Sequence, residues 1–353
     1  MKILVTGGSG FIGTNLVRYL LSMPGITVFN VDKLVFPGSG YTNKDLEETA
    51  GNAYRFSPTD ICNGQKMQEI MMEFLPDAVM HLAAESHVDR SIQQPSSFIQ
   101  SNIFGTYQLL ENTRNYWLTL PEDKKQSFRF LHVSTDEVYG SLDSGAPAFR
   151  EDDPYRPNSP YSATKAGSDH LARAWHHTYG LPVLISNCSN NYGPYQFPEK
   201  LIPLMIIKAV KGEALPVYGD GTNVRDWLYV SDHVTALHQI LEQGKAGECY
   251  NIGGDCELSN NEVVDILCKV LDELLPGSEF IPHSKLIEYV PDRPGHDQRY
   301  AMDISYINKS LGWSPSHGFE QALKNTVKWY LDNFDWCEKV MENTYSGERL
   351  GLI

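Results

Sequence analysis

Two short stretches of the sequence combine side chains that can move protons. Tyr161 and Lys165 are four positions apart, so a helix would place them on one face. Ser159 is a suitable N-cap and Pro160 a suitable first helical residue, which would put Tyr161 in the first turn. There the helix dipole and the Lys165 ammonium group would favour the phenolate and move its pKa from about 10 toward neutrality. The spacing predicts a general base, although an ordinary surface contact would also explain the pair.

The second stretch is the acidic pair Asp136 and Glu137, which comes directly after a predicted strand ending at Ser134. Adjacent carboxylates at the mouth of a site are costly unless their surroundings separate their pKa values. Such a separation would provide one acid and one base. A solvated turn is the alternative, and for an isolated Asp-Glu dipeptide it is the better one.

A glycine-rich loop, Gly7-x-x-Gly10-x-x-Gly13, precedes a predicted helix that begins near Phe11. Glycine allows a tight turn and lets backbone N–H groups approach a pyrophosphate at the helix N-terminus. Asp32 ends the second predicted strand, where a carboxylate can accept hydrogen bonds from ribose hydroxyls and would repel a 2′-phosphate. The pattern predicts bound NAD rather than NADP, and a glycine-rich turn without a ligand is the alternative.

These residues need elements to position them, and the first half of the chain alternates short apolar runs with amphipathic segments. The predicted strands are Ile3 to Thr6, Thr27 to Asp32, Ala53 to Ser57, Ala78 to Leu82, Arg129 to Ser134 and Val183 to Ser186. This alternation predicts an α/β fold with a Rossmann-type doubly wound parallel sheet, whose ligands bind at the carboxyl ends of the strands. Asp60 and Ile61, after the third strand, could meet the adenine or belong to a surface loop.

The second half is looser, with Gly- and Pro-rich segments such as Asn190 to Pro198 and Tyr218 to Gly221. It predicts a smaller, mixed α/β substrate-binding domain over the sheet. We expect residues 1–190 to form the NAD-binding domain, completed by a segment near 225–252, and residues 191–353 to form the interleaved substrate-binding domain.

The composition of the chain disfavours some classes of binding partner. The formal net charge of −15 disfavours nucleic acid and anionic membranes, so an anionic ligand would need a local cluster of cations. The six cysteines and eleven histidines lack metal-binding spacing, and we expect neither a metal nor a disulfide framework. The start of the chain lacks the pattern of a signal peptide, which leads us to expect a cytoplasmic location.

Several motifs in combination identify a family. The chain resembles the extended short-chain dehydrogenases, and among them the dTDP-D-glucose 4,6-dehydratases, over nearly its whole length. The resemblance is carried by Gly7 to Gly13, Leu82-Ala83-Ala84, Ser134 to Gly140, Tyr161 to Lys165, Asn190 to Pro203, Arg225-Asp226-Trp227 and Asp292 to His296. The loop Leu34 to Glu48 departs from typical members because it is slightly longer and richer in glycine, which leaves its adenosine contacts open.

The resemblance implies three sets of site residues. The catalytic set is Thr135, Asp136, Glu137, Tyr161 and Lys165. The NAD-binding set is Gly7, Gly10, Phe11, Ile12, Gly13, Asp32, Lys33, Asp60, Ile61, Leu82, Ala83, Ala84, Tyr161, Lys165 and Asn191. The substrate-binding set is Ser86, Thr135, Asn190, Lys200, Leu201, Pro216, Tyr218, Arg225, Asn260, Arg293 and His296, and its cations provide the local positive charge that a diphosphate requires.

The resemblance also implies a mechanism. Tyr161, aided by Lys165 and the Thr135 hydroxyl, removes the proton of the glucose 4-hydroxyl while hydride leaves C4 for NAD. Glu137 then takes the C5 proton, Asp136 protonates the departing 6-hydroxyl, and hydride returns to C6. The product is a 4-keto-6-deoxy sugar nucleotide for deoxysugar biosynthesis of the rhamnose type.

Three other functions remain open at this stage. A UDP-sugar 4,6-dehydratase would use the same chemistry, because the acidic pair indicates the type of reaction and does not distinguish a uracil from a thymine nucleotide. A 4-epimerase would share Tyr161 and Lys165 but would not need the pair, and a catalytically silent NAD-binding protein would need neither. Two predicted helices, Ser96 to about Asn115 and Ser159 to about Tyr179, carry apolar residues on more than one side, and the resemblance implies that they pair in a homodimer.

Overall fold

The structure is a computed structural model that describes residues 1–34, 39–292 and 296–342, without the side chains of Ser39 and Tyr41. Its strands are β1 (Lys2–Thr6), β2 (Thr27–Val31), β3 (Tyr54–Ser57), β4 (Ala78–His81), β5 (Arg129–Thr135), β6 (Val183–Cys188), β7 (Asn190–Tyr192), β8 (Leu215–Tyr218), β9 (Val224–Tyr229), β10 (Cys249–Ile252), β11 (Glu257–Ser259) and β12 (Ile287–Val290). Most of the loop that departs from the family pattern is described, but residues 35–38 lie outside the described ranges.

The helices follow in chain order. They are α1 (Phe11–Ser22), α2 (Ser39–Thr42), α3 (Lys44–Thr49), α4 (Gly64–Phe74), α5 (Val88–Gln93), α6 (Pro95–Phe98), α7 (Thr106–Thr119), α8 (Glu122–Ser127), α9 (Pro160–Tyr179), α10 (Leu201–Lys211), α11 (Val230–Gln243), α12 (Asn260–Leu274), α13 (Ser305–Leu311), α14 (Phe319–Asp332) and α15 (Phe334–Met341). A π-helical segment, Ile99–Gly105, joins α6 to α7, and 3-10 turns occupy Gly51–Ala53, Asp136–Val138 and His283–Leu286. None of the helices in the described ranges is long and apolar enough to cross a membrane.

Seven parallel strands form the central sheet, in the order β10-β6-β5-β4-β1-β2-β3. Strands β4 and β6 are buried along their whole length, as expected for a parallel sheet covered on both faces. Helices α1 and α11 contribute to the core on one face, and α4, α7 and α9 to the core on the other. The strand order reverses between β1 and β4, which is the point where folds of this kind bind ligands.

The second half of the chain supplies a smaller mixed part. A three-stranded sheet (β11-β9-β7) and a two-stranded sheet (β12-β8) accompany helices α10, α12 and α14, which share a separate apolar core. The predicted Rossmann-type sheet with a smaller α/β part is therefore confirmed. The predicted strands end within one or two residues of the observed ones, whereas the helix predicted from Ser96 to about Asn115 begins at Pro95, reaches Thr119 and contains the π-helical segment.

Candidate active site

A cavity of ≈ 360 Å³ lies at the carboxyl ends of the central strands. Every residue predicted to bind NAD and every residue of the predicted catalytic set lines it, and so do Ser86, Asn190 and Lys200 of the substrate-binding set. Residues far apart in the sequence thus meet at one place. The structure brings the glycine loop, the acidic pair and the Tyr161-Lys165 pair into a single site.

The glycine loop leaves room for a phosphate group at the start of α1. Gly7 has a positive φ of 76°, and a Cβ there would lie 2.5 Å from the backbone nitrogen of Ala83. A Cβ on Gly13 would lie 2.0 Å from the carbonyl oxygen of Gly7, so neither position accepts a side chain. Gly10 is the N-cap of α1 and offers no side chain to its N–H groups. The loop therefore fits a pyrophosphate bound by backbone donors.

Asp32 is held in a fixed orientation beside this loop. Its Oδ2 accepts a hydrogen bond from the Ser9 backbone nitrogen at 3.0 Å, and its Oδ1 accepts one from Leu34 at 2.9 Å. Burial raises the pKa of Asp32 from its ordinary value, while these two hydrogen bonds oppose that change. Each oxygen retains a further lone pair, so the carboxylate fits the ribose hydroxyls of an NAD molecule.

Tyr161 lies in the first turn of α9, as predicted. The Ser159 side chain caps the helix by accepting a hydrogen bond from the Ser162 backbone nitrogen at 3.0 Å, and Pro160 is the first helical residue. The Lys165 ammonium group is buried and donates to the Val133 carbonyl oxygen at 2.8 Å. Both side chains are therefore fixed by α9 and by the neighbouring strand β5.

We expected the pKa of Tyr161 to be lowered toward neutrality, and this expectation is wrong when only the chain's own groups act on the phenol. Burial and then the Glu137 carboxylate raise the pKa of Tyr161 well above its ordinary value, although the Thr135 hydroxyl opposes this through a hydrogen bond. Burial also lowers the pKa of Lys165. The helix dipole and the ammonium charge can be inferred from the sequence, whereas the loss of water around the phenol depends on elements distant in the chain.

The acidic pair occupies the 3-10 turn that follows β5. Asp136 is 2% exposed and Glu137 is half-buried. Oδ1 of Asp136 accepts a hydrogen bond from the Thr135 hydroxyl at 3.1 Å, whereas Oδ2 is buried and has no hydrogen-bond partner among the described residues. Burial, and then the charge of Glu137, raise the pKa of Asp136 well above its ordinary value. Asp136 is thus favoured as a protonated acid beside a second carboxyl group, as the sequence led us to expect.

The rest of the substrate-binding set lies in the smaller part of the protein and does not line the cavity. The Arg225 side chain donates to the carbonyl oxygen of Asp297 at 2.9 Å and lies over the Tyr300 ring, 4.6 Å from its centroid. Its positive charge lowers the pKa of Asp136, which indicates that it lies near the acidic pair. Leu201 begins α10, Pro216 and Tyr218 lie on strand β8, and Asn260 begins α12. His296 Nδ1 lies 2.7 Å from the Asp292 carboxylate. Arg293 lies outside the described residues.

Sequence reasoning missed some residues that line the cavity. Glu199 is buried there and pairs with the Arg90 guanidinium at 2.8 Å, while His87 Nε2 lies 3.7 Å from its carboxylate. Glu199 directly precedes Lys200 within a motif already singled out, so its position could have been recognised. Trp336 also lines the cavity, but it comes from α15 near the end of the chain, and no local pattern indicates this.

Comparisons with known proteins show which family this chain resembles. The family model described as GDP-mannose 4,6 dehydratase matches residues 4–326. A dTDP-glucose 4,6-dehydratase of Escherichia coli is 52% identical over 363 residues, covering 100% of both chains. One of Xanthomonas campestris is 55% identical over 349 residues, covering 99% of this chain and 98% of the relative. The structure of DesIV, the dTDP-glucose 4,6-dehydratase of Streptomyces venezuelae, was solved with NAD bound; it has a TM-score of 0.86 and 42% identity, covering 96% of this chain and 100% of that one.

Proposed function

The chain belongs to the family of dTDP-glucose 4,6-dehydratases, and we propose that it converts dTDP-D-glucose to dTDP-4-keto-6-deoxy-D-glucose with bound NAD. The observation that carries this proposal is the buried acid Asp136 next to Glu137, in the same cavity as Tyr161 and Lys165. Proton removal by a tyrosine is sufficient for oxidation at C4. The additional acid and base are needed only when water is eliminated.

NAD bound in this cavity supplies a reversible hydride acceptor for the sugar. The chain's own residues move the protons. Tyr161, as a phenolate favoured by the positive charge of bound NAD, would accept the proton of the 4-hydroxyl, with the Thr135 hydroxyl hydrogen-bonded to its phenol oxygen. Glu137 takes the C5 proton, and Asp136, held protonated by burial, donates its proton to the departing 6-hydroxyl. Water is then lost across C5 and C6.

We assign the substrate's diphosphate and nucleoside to the cations and amides of the predicted substrate-binding set. Lys200 lines the cavity, and Arg225 lies close enough for its charge to act on Asp136, which supports the assignment. Ser86 would lie nearer the sugar, and Asn190 offers a buried side-chain oxygen that has no hydrogen-bond partner among the described residues. The other members, Leu201, Pro216, Tyr218, Asn260, Arg293 and His296, would complete the pocket around the base.

This assignment also divides the chain into a cofactor-binding and a substrate-binding part. We propose that residues 1–190, with the segment near 225–252, form the NAD-binding domain, and that residues 191–353 provide the sugar-nucleotide-binding domain. Strand β10 supports the interleaving because it joins the edge of the large sheet beside β6. We also propose a cytoplasmic location, which the six unpaired cysteines support.

The direct test is to incubate the purified chain with dTDP-glucose and no added NAD, and to detect the 4-keto product under alkali. We expect multiple turnovers, because the cofactor ends each cycle in its starting form. UDP-glucose, tested side by side, should turn over much more slowly. Faster turnover of UDP-glucose would favour a UDP-sugar dehydratase, an epimerised sugar would favour a 4-epimerase, and the absence of any sugar product would contradict enzymatic function.

Glu137→Gln separates elimination from oxidation. The variant keeps Tyr161 and should still reduce bound NAD when substrate is added, but net turnover should fall by about 10²–10⁴-fold, the usual contribution of a general base. The near-ultraviolet absorbance of NADH follows the first step, and product analysis follows the whole reaction. Tyr161→Phe is the matched control and should lose both signals. Wild-type turnover in Glu137→Gln would show that Glu137 does not have this role.

We further propose that the enzyme is a homodimer that pairs through α7, α9 and the π-helical segment. Ile99, Phe104, Tyr107 and Tyr179 are large apolar or aromatic side chains that remain 38–56% exposed there. Exposed apolar side chains grouped in this way mark an interaction surface more often than a free one. Sedimentation as a dimer at working concentration is the expected result.

A further inference from the structure

The last described helix, α15, returns to the cofactor cavity. Trp336 and Val340 line it, whereas all other lining residues among those described lie between Gly7 and Lys200. We propose that α15 is part of the NAD-binding site and retains the cofactor, with Trp336 as the side chain that closes the cavity wall. This inference rests on the proposed use of NAD, but it concerns residues that none of the sequence motifs includes.

The Trp336 indole is held by groups from three other elements. Its Nε1 donates to the Thr42 hydroxyl of α2 at 3.4 Å. Its ring lies 5.8 Å from that of Tyr195 and 5.3 Å from that of Trp329 on α14, and the Tyr195 and Trp329 rings are themselves 4.5 Å apart. Tyr195 also lines the cavity. The aromatic cluster formed by Tyr195, Trp329 and Trp336 therefore places α15 at the cavity.

The same cluster is connected to the start of the dinucleotide-binding part. The Arg18 guanidinium of α1 lies 5.0 Å from the centroid of the Tyr195 ring and forms an ion pair with Asp45 at 2.6 Å. The Asn15 side chain, also on α1, donates to the Pro194 carbonyl oxygen at 2.9 Å. Helix α1 carries the predicted pyrophosphate site at its N-terminus, so the wall closes over the part of the cavity that starts there.

The position of α15 depends on these contacts. An eight-residue helix is not stable by itself in water, so packing must hold it in place. Val340 is 1% exposed and lines the cavity, and Cys337 is buried on the same helix. A bound NAD enclosed by this wall can leave only when the wall opens. Loss of the Trp336 side chain should therefore raise the dissociation rate.

The test is NADH dissociation from the full-length protein, measured by stopped-flow fluorescence after mixing with excess NAD. Trp336→Ala should release NADH about tenfold faster or more and should be purified with less NAD than wild type. Val340→Ala should change the rate in the same direction by a smaller factor. Trp336→Phe keeps a ring but loses the hydrogen bond to Thr42, so its rate of NADH release should lie between those of Trp336→Ala and wild type.

Two variants serve as matched controls. Glu338→Ala alters an exposed position of the same helix, and Trp117→Ala removes an indole that does not line the cavity. Both should release NADH at the wild-type rate. If Trp336→Ala and Val340→Ala also do so, the inference is overturned. If Trp336→Ala fails to fold, Val340→Ala and Trp336→Phe decide the matter. A wild-type chain that binds no NADH would overturn the proposed function itself, whereas normal release from the variants would overturn only the role of α15.

Discussion

Asp136 and Glu137 are adjacent in the chain, but their surroundings differ. Asp136 is buried with one oxygen lacking a hydrogen-bond partner among the described residues, whereas Glu137 is half-buried at the cavity. Burial penalises the charged form of Asp136, and the neighbouring carboxyl group adds to that effect. A proton held in this way is available to a leaving group, but holding it lowers the stability of the fold at neutral pH.

Asp136→Asn should reveal this cost. Below about pH 4, Asp136 is protonated in both the folded and the unfolded wild-type chain, so its titration contributes nothing to the difference between wild type and variant. As the pH rises above that value, the unfolded carboxyl group ionises while the buried one stays protonated, which favours unfolding of the wild type. The free energy of unfolding of the variant should therefore rise relative to that of wild type as the pH rises. The gain is about 1.4 kcal/mol for each pH unit over which the unfolded carboxyl group is ionised and the buried one stays protonated. The variant also loses the elimination step.

Chemical denaturation at saturating NAD, from about pH 4 to about pH 8, measures this difference in the free energy of unfolding. The slope with pH is the informative quantity, because any packing change caused by the asparagine adds a constant. A stability difference that stays constant over this range would contradict the raised pKa of Asp136.

At the residue scale, motif spacing was sufficient where partners are near in sequence. The Tyr161-Lys165 spacing and the Ser159-Pro160 start predicted a helix with the catalytic pair in its first turns, and α9 has this arrangement. The pKa of Tyr161 could not be predicted in the same way. Its main determinant is burial by elements distant in the chain, and sequence spacing carries no information about how much water they remove.

Helix α9 and strand β5 carry the two catalytic groups, and Asp169 connects these elements. Asp169 is fully buried on α9, one turn after Lys165. Its Oδ2 accepts a hydrogen bond from the Ser134 hydroxyl at 2.8 Å, directly before Thr135, and its Oδ1 contacts His132 Nε2 at 3.0 Å. The carboxylate therefore fixes the helix bearing Tyr161 relative to the strand that leads to the acidic pair.

Asp169→Ala should lower the free energy of unfolding by about 3–5 kcal/mol, because it leaves buried polar groups of β5 without their acceptor. Asp169→Asn, which keeps one oxygen acceptor, should lower the free energy of unfolding by less. Urea denaturation at constant NAD concentration measures both. Thr178→Ala, at an exposed position of the same helix, is the control and should stay within about 0.5 kcal/mol of wild type. A loss below about 1 kcal/mol in Asp169→Ala would mean that the contact is not structurally important.

The elements themselves were largely predictable, because alternating apolar runs report burial directly. The π-helical segment Ile99–Gly105 was not. Within it, the Asn102 side chain accepts a hydrogen bond from the Glu85 backbone nitrogen at 2.8 Å and donates to the Thr164 hydroxyl at 2.9 Å. These partners belong to the loop after β4 and to α9, so the conformation accompanies tertiary contacts that a local pattern does not contain.

At the scale of the whole molecule, the sequence predicted where the site would be but not what encloses it. The carboxyl ends of parallel strands meet at one edge, so the strand pattern predicts that the glycine loop and the acidic pair lie close together, whereas the full cofactor and catalytic sets were implied by the family resemblance. Trp336 joins the same cavity from near the end of the chain, which depends on how the last helices pack. The distance of Pro216 and Asn260 from the cavity likewise depends on the packing of the smaller part.

The exposed aromatic side chains of the proposed dimer surface, Phe104, Tyr107 and Tyr179, form a row across the π-helical segment, α7 and α9, and the buried Trp175 ring lies between the last two. The Phe104 and Tyr107 rings are 6.0 Å apart, the Tyr107 and Trp175 rings 5.9 Å, and the Trp175 and Tyr179 rings 5.5 Å. In a twofold dimer each residue of this row would face the same surface of the second copy. A single substitution would then act twice at the interface.

Tyr107→Glu should shift the protein from dimer to monomer. Tyr107 is 38% exposed at the centre of the row, and two copies of a glutamate would have to be desolvated close to each other in the interface. We expect the dissociation constant to rise by about 10²-fold or more, equivalent to about 2.7 kcal/mol, as measured by sedimentation velocity over a range of concentrations. Met72→Glu on α4, which is 51% exposed outside the row, should leave the dimer intact. A wild-type monomer, or a Tyr107→Glu variant that remains fully dimeric, would contradict pairing through this surface.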